Sequence, residues 1–404
     1  MNQTPKGVRP CIGLVGRRNV GKSALVNALT GQEVSIVSPV PGTTTDPVDK
    51  SFELPPLGAV VFVDTAGLDD EGALGGARTK RSEQVLQRLD LAVLVVECGV
   101  LAAFERELLT LLKQQGKRIL VVFNKRDQRA PTSEQQSWVL QASVPSVEVS
   151  ATALQGIEQL GTAIALALKS LETPALVADL VRPGDLVVLV VPVDVEAPKG
   201  RLILPQAQTI REVLDAEAVA LVVKERELGT ALKQLNRLPS LVVTDSQAFL
   251  KVAADVPESV PLTSFSILMA RAKGELDTFL TGVNAIDRLQ TGDKVLVAEA
   301  CSHKVHGEDI GTVKIPRFLT QYSGAKLRFD VRYGQDFPED LASYKLIVHC
   351  GACMLNRAAM LSRLARAEAA GVAITNYGLT IAHTQGILKR ALGPFPALQQ
   401  RLLR

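Results

Sequence analysis

Residues 11–31, CIGLVGRRNVGKSALVNALTG, constrain the fold more than any other stretch of the chain. An apolar run of strand length turns into Gly16-x-x-x-x-Gly21-Lys22-Ser23, and a helical pattern starts on the last of these residues. Glycines at that spacing let successive backbone N–H groups curl around an anion at the positive end of a helix dipole. Lys22 supplies a cation for the β- and γ-phosphates, and the Ser23 hydroxyl is a ligand for Mg²⁺. A strand feeding such a loop belongs to a parallel sheet covered by helices on both faces.

The rest of the first 170 residues agrees with that sheet. AVVFVD (59–64), LAVLVVE (91–97), RILVVFNK (118–125) and SVEVS (146–150) read as strands separated by helical stretches. Two further α/β zones follow. LVVLVVPVD and SLVVTD are the strands of the second, and KVLVAEA, LRFDVRYG, KLIVH and GVAITNYG those of the third. The expected fold class is α/β: a P-loop GTPase domain with a doubly wound, mainly parallel sheet, then two smaller α/β domains. Expected boundaries are 1–172, 173–264 and 265–404, with Pro174, Pro183 and Gly184 breaking the first junction.

Downstream motifs identify the ligand. Asp64-Thr65-Ala66-Gly67 ends a strand, so that Asp64 reaches Mg²⁺ through water and the Gly67 N–H meets the γ-phosphate. Asn124-Lys125-Arg126-Asp127 ends another, and Asp127 accepts from the two donors that guanine has and adenine lacks. Asn124 is expected to bond the guanine, with Lys125 beside it and Ser150-Ala151-Thr152 as a further base contact. PGTTTD, 41–46, offers Thr43 and Thr44 to the metal and γ-phosphate. The catalytic set is therefore Lys22, Thr44, Asp64 and Gly67, and the ligand is GTP with Mg²⁺. Leu68 stands where many GTPases place a glutamine to orient water, which predicts slow hydrolysis unless another group completes the site. These motifs resemble the GTPases of the TrmE and Era type. That resemblance implies that Asn19 holds an activating K⁺, while Arg17 and Arg18 are expected to face solvent or the phosphates rather than act in catalysis.

A second cluster lies near the end of the chain. Cys301-x-His303 follows one strand and His349-Cys350-x-x-Cys353 another, in a chain with four histidines and five cysteines. Ligands at the carboxyl ends of neighbouring parallel strands converge in space. A helix is expected straight after Cys353, turning its positive end toward the thiols. Three readings apply: small cysteines packing a strand end, a Cys₃His zinc site, or an iron–sulfur cluster on three thiolates. The first is disfavoured because three cysteines and two histidines meet at two strand ends. Spacing alone does not separate the other two. Cys11 and Cys98 read as core, His306 as a loop residue and His383 as structural.

A GTPase of this type joined to C-x-H…H-C-x-x-C resembles the HydF family, the maturation GTPases of [FeFe]-hydrogenases, over the whole chain. The gap between the two histidines, 45 residues, is slightly shorter than that family's pattern. The resemblance implies a [4Fe–4S] cluster on Cys301, Cys350 and Cys353 with one labile iron position. Glu308, His303 and His349 are candidates for the fourth ligand, or for support behind the ligands. It also implies a scaffold that receives a diiron H-cluster precursor from the radical-SAM maturases HydE and HydG and delivers it to apo-[FeFe]-hydrogenase. The middle zone, without Cys or His, would form a homodimer.

Composition closes other routes. No apolar run reaches the length needed to span a bilayer, and no secretion signal is read at residues 1–16. Five unevenly spread cysteines do not make a disulfide framework, so a reduced, cytoplasmic protein is expected. The net charge is only +3 and aromatics are 4%, which disfavours the rival class, an RNA-modification or ribosome-assembly GTPase with a C-terminal zinc site.

Overall fold

A computed structural model describes residues 7, 9–31, 49–54, 58–63, 85–169, 174–192, 202–300 and 309–402. The chain divides into two compact units, 1–172 and 173–404.

In the first unit, strands β1 (Cys11–Val15), β2 (Asp49–Leu54), β3 (Gly58–Val63), β4 (Leu91–Glu97), β5 (Ile119–Asn124) and β6 (Ser146–Glu148) form one sheet in the order β2-β3-β1-β4-β5-β6. All neighbours are parallel except β2, which runs antiparallel to β3 at the edge. The central strands are valine-rich because both their faces are covered. From β4, Ala92, Leu94 and Val96 enter one apolar layer with Leu112 and Trp138. Leu91, Val93 and Val95 enter the other with Leu25 and Ile164. That alternation is the two-residue period of a strand. The chain leaves β1 for β3 on one side and returns to β4 on the other, so the loop after β1 opens at the sheet's switch point.

The second unit holds two wholly parallel four-stranded sheets. Strands β7 (Leu186–Val190), β8 (Val219–Val223), β9 (Leu241–Thr244) and β10 (Leu262–Ser264) are ordered β10-β9-β7-β8. Strands β11 (Lys294–Glu299), β12 (Arg328–Tyr333), β13 (Leu346–His349) and β14 (Ala373–Asn376) are ordered β12-β11-β13-β14. One apolar core joins them: Val187, Leu189 and Val243 of the first sheet belong to the same cluster as Val295, Val297 and Ile347 of the second. The helix Phe265–Lys273, almost entirely buried, contributes Phe265, Ile267, Leu268 and Met269 to it. Gly282, on the helix Leu276–Val283, presses against β14 so closely that a Cβ there would lie 1.9 Å from the Ile374 carbonyl oxygen.

The α/β fold expected from the sequence is the fold observed, with a P-loop sheet followed by further α/β regions built on parallel sheets. Strands β2, β8 and β10 had not been expected. β10 is three residues long and β2 is an antiparallel edge, so neither leaves a long apolar run.

Candidate functional site

In the loop after β1 the backbone takes left-handed values at Asn19 (φ 64°) and Gly21 (φ 93°), with Gly16 at φ 145°. Gly21 has no alternative, since a Cβ would fall 2.3 Å from Asn124 Nδ2. Lys22 Nζ donates to the carbonyls of Gly16 (2.9 Å) and Arg17 (2.7 Å), which holds the ammonium over the loop. Ser23 begins the helix Lys22–Thr30 with it.

Asn124 has a structural part as well as the base contact expected of it. It is 2% exposed, its Nδ2 donates to the Val20 carbonyl (2.8 Å), and its Oδ1 accepts from the Ala151 N–H (3.1 Å). Asn124 thus staples the phosphate loop, the end of β5 and the Ser150–Thr152 turn together, and its amide NH2 carries a second N–H besides the one given to Val20. Asp127 accepts from Ser150 Oγ at 2.6 Å. Lys125 sits at φ 64° with its ammonium on Glu97 Oε2 (2.6 Å).

Arg17 is partly exposed, and its guanidinium makes two 2.6 Å bonds to Glu105, whose side chain is 2% exposed. Glu105 in turn accepts from the Ala102 N–H at the start of the helix Ala103–Gln114. A first-turn glutamate was the available signal, but sequence alone does not bring residues 17 and 105 together. Arg18 and Asn19 are exposed. Thr43, Thr44, Asp64, Gly67 and Leu68 lie outside the described residues.

The C-terminal site starts where β13 runs beside β11, with His349 opposite Ala298. The Cys350 N–H continues that ladder to the Ala298 carbonyl (2.9 Å). Cys350 Sγ accepts from the N–H groups of Ala300 (3.1 Å) and Ala352 (3.4 Å). Ala352 is held at φ 54°, an uncommon setting for a residue with a Cβ. Burial pushes the Cys350 thiol up to about 11, partly offset by those two N–H donors. Cys353 is half-buried at the end of the same loop. The helix expected straight after Cys353 begins only at Arg357, capped by Asn356, so the N–H groups facing Cys350 come from the β11 end and the thiol loop instead.

His349 is fully buried. Its Nδ1 lies 2.8 Å from the Cys350 carbonyl and its Nε2 2.8 Å from Arg363. Since the guanidinium only donates, the proton sits on Nδ1. Burial, then the nearby Arg363 charge, lowers the imidazole to about 3. Both ring nitrogens of His349 are thus engaged, Nδ1 by the Cys350 carbonyl and Nε2 by Arg363. Beside it, Glu299 is buried and accepts from Tyr377 Oη (3.0 Å).

Cys301, His303, His306 and Glu308 lie outside the described residues. Among the described residues no group of three or more His, Cys, Asp or Glu side chains is placed to hold a metal. The donor chemistry still fits a group bound by thiolates: Cys350 is set in backbone N–H donors, and Ala300, one of the two, immediately precedes Cys301. Cys11 and Cys98 are buried in the first unit's core. His383 bonds Asp287 at 2.8 Å and packs against Tyr322. No described helix is long and apolar enough to cross a membrane.

Comparison with known proteins extends this geometry. Residues 11–125 match the family model of the 50S ribosome-binding GTPases. GTPase Der of Wolinella succinogenes is 39% identical over 134 residues, 32% of this chain and 28% of its own. GTPase Der of Thermomicrobium roseum is 46% identical over 99 residues, 23% of this chain and 21% of its own. The chain thus spans under a third of the length of these curated relatives. A solved bacterial selenocysteine-specific elongation factor, EF-Sec, matches with 20% identity and a TM-score of 0.33 over 42% of this chain and 30% of its own. Residues 176–274 match the hydrogen maturase F dimerization domain, and residues 277–394 match the hydrogen maturase F tetramerization domain. Those two domains take up just over half of the chain and follow a GTPase domain in order, and the chain belongs to the hydrogen maturase F (HydF) family.

Proposed function

We propose that this chain is a GTP-hydrolysing scaffold for [FeFe]-hydrogenase maturation, carrying a [4Fe–4S] cluster on Cys301, Cys350 and Cys353. The observation that carries the reading is the Cys350 thiol just after β13, which accepts from the Ala300 N–H just after β11, within a chain of hydrogen maturase F domains. Such a cluster, when bound, supplies one iron without a cysteine, open to an exchangeable ligand. The chain's own residues prepare for it: Ala300 and Ala352 point N–H groups at Cys350 Sγ, which favours the thiolate, and His349 fixes the Cys350 carbonyl. Glu308, His303 and His349 remain the candidates for the fourth position.

On the first unit, Lys22 neutralises the phosphates, Ser23 and Thr44 hold Mg²⁺, Asp64 steadies it through water, and Asp127 with Ser150 and Ala151 selects guanine. Gly67 meets the γ-phosphate, and Asn19 holds K⁺. Hydrolysis is slow because Leu68 orients no water, and loss of the γ-phosphate releases the loop 38–46 as a switch. The cargo is a diiron precursor received from HydE and HydG and passed to the apo-hydrogenase in the cytoplasm. Residues 173–264 pair two copies and residues 265–404 carry the cluster.

Separate variants test whether the two chemistries sit on separable modules. Lys22→Ala is expected to abolish GTP binding and keep the visible absorption of the cluster. Cys350→Ser is expected to lose that absorption and keep hydrolysis. Normal turnover in Lys22→Ala would defeat the phosphate-loop roles, and hydrolysis lost from a folded Cys350→Ser would defeat separability.

A further inference from the structure

The strongest unexplained feature is a buried cation. Arg363, on the helix Arg357–Ala369, is 5% exposed. Its guanidinium donates to His349 Nε2 (2.8 Å) and to the Gly334 carbonyl (2.6 Å), and lies over the Phe337 ring at 4.9 Å. None of these partners carries a negative charge, and the imidazole is neutral. Among the described residues no carboxylate stands within ion-pair distance of it. A guanidinium buried without an acid is costly unless something nearby turns anionic.

We propose that Arg363 is the buried countercharge of the thiolate site and, through His349, its positioning residue, and that it holds the reduction potential of the bound cluster up. This rests on the iron–sulfur reading above. Two effects combine. The guanidinium fixes the His349 proton on Nδ1, which donates to the Cys350 carbonyl and orients the peptide leading into Ala352. Ala352, held at φ 54°, then turns its N–H onto Cys350 Sγ. The positive charge, in a poorly screened interior, favours the more negative member of a one-electron couple. Neither effect requires Arg363 to touch a metal.

The test is an EPR-monitored redox titration of the full chain after anaerobic reconstitution with iron and sulfide. Arg363→Gln is expected to lower the reduced-to-oxidised ratio at a given potential about tenfold, a shift of about 59 mV for one electron. Arg363→Lys, which keeps the charge, is expected to stay within threefold of the parent. A fully loaded Arg363→Gln protein with an unchanged potential overturns the proposal. If Arg363→Gln does not fold, judged by circular dichroism, Arg363→Met, which keeps an apolar stem of similar length without the charge, takes its place. The same lowering of the potential is expected, and an unchanged potential in the loaded variant overturns the proposal. A parent protein that takes up no cluster defeats the iron–sulfur reading itself, an outcome distinct from an unchanged potential in a loaded variant.

Discussion

Asn124 shows how a single side chain recognised by its motif can carry structural work as well. The asparagine of Asn-Lys-x-Asp is expected to meet guanine, and one N–H of its amide also goes to Val20 while its oxygen takes the Ala151 N–H. Its value is that three loops distant in sequence share one buried group. Asn124→Ala leaves a buried carbonyl and a buried N–H unpaired, about 1–3 kcal/mol each. We predict weaker GTP and GDP binding together with a lower melting temperature of the first unit. Unchanged stability with a loss confined to guanine selectivity would leave Asn124 the base contact alone. Asn19 makes a second prediction at this scale. Exposed and left-handed at the rim of the loop, it is expected to make the GTPase rate rise when K⁺ replaces Na⁺. Equal rates in the two salts, or a rise that survives in Asn19→Ala, would remove that role.

At the scale of elements, β8 is the exposed counterpart of the buried strands. Its sequence, VALVV, is as apolar as β7, yet it stands at the edge of its sheet with Val219 and Val222 51% and 43% exposed. Among the described residues that edge presents its N–H and C=O groups beside exposed valines, a surface that readily pairs with another strand. It lies within the segment matching the hydrogen maturase F dimerization domain, so a second copy of this chain is the occupant we propose. Val222→Lys is expected to shift the chain toward monomer in sedimentation while leaving GTP hydrolysis unchanged. An unaltered dimer would place the interface elsewhere. This strand also marks a limit of sequence reading. Long two-face runs such as β4 and β5 are legible because burial on both faces demands continuous β-branched residues. β8 has the same composition without the burial, and an apolar run does not say which side lacks a neighbour.

At the scale of the whole molecule, the motifs were legible because backbone geometry ties them to strand ends. Gly16–Ser23 follows β1, Asn124 closes β5, and Cys350 follows β13. What was not legible depends on pairs far apart in sequence. Arg17 on Glu105, Arg363 on His349 and Tyr377 on Glu299 are set by packing between helices and strand ends, and no local pattern announces them. The helix thought to follow Cys353 directly failed for a local reason. Asn356 is the better cap, so the chain spends the intervening residues on a thiol loop. The two sheets of the second unit, read as separate domains, share one apolar core, because the helix Phe265–Lys273 at their junction is apolar on nearly every side. The central claim is that this second unit holds an iron–sulfur cluster while the first works on GTP. The most direct test is metal and sulfide analysis of the anaerobically reconstituted chain, with EPR after dithionite reduction. About four irons per chain and the signal of a reduced cluster are the predicted result; one tightly held zinc, with no sulfide and no signal, would contradict it.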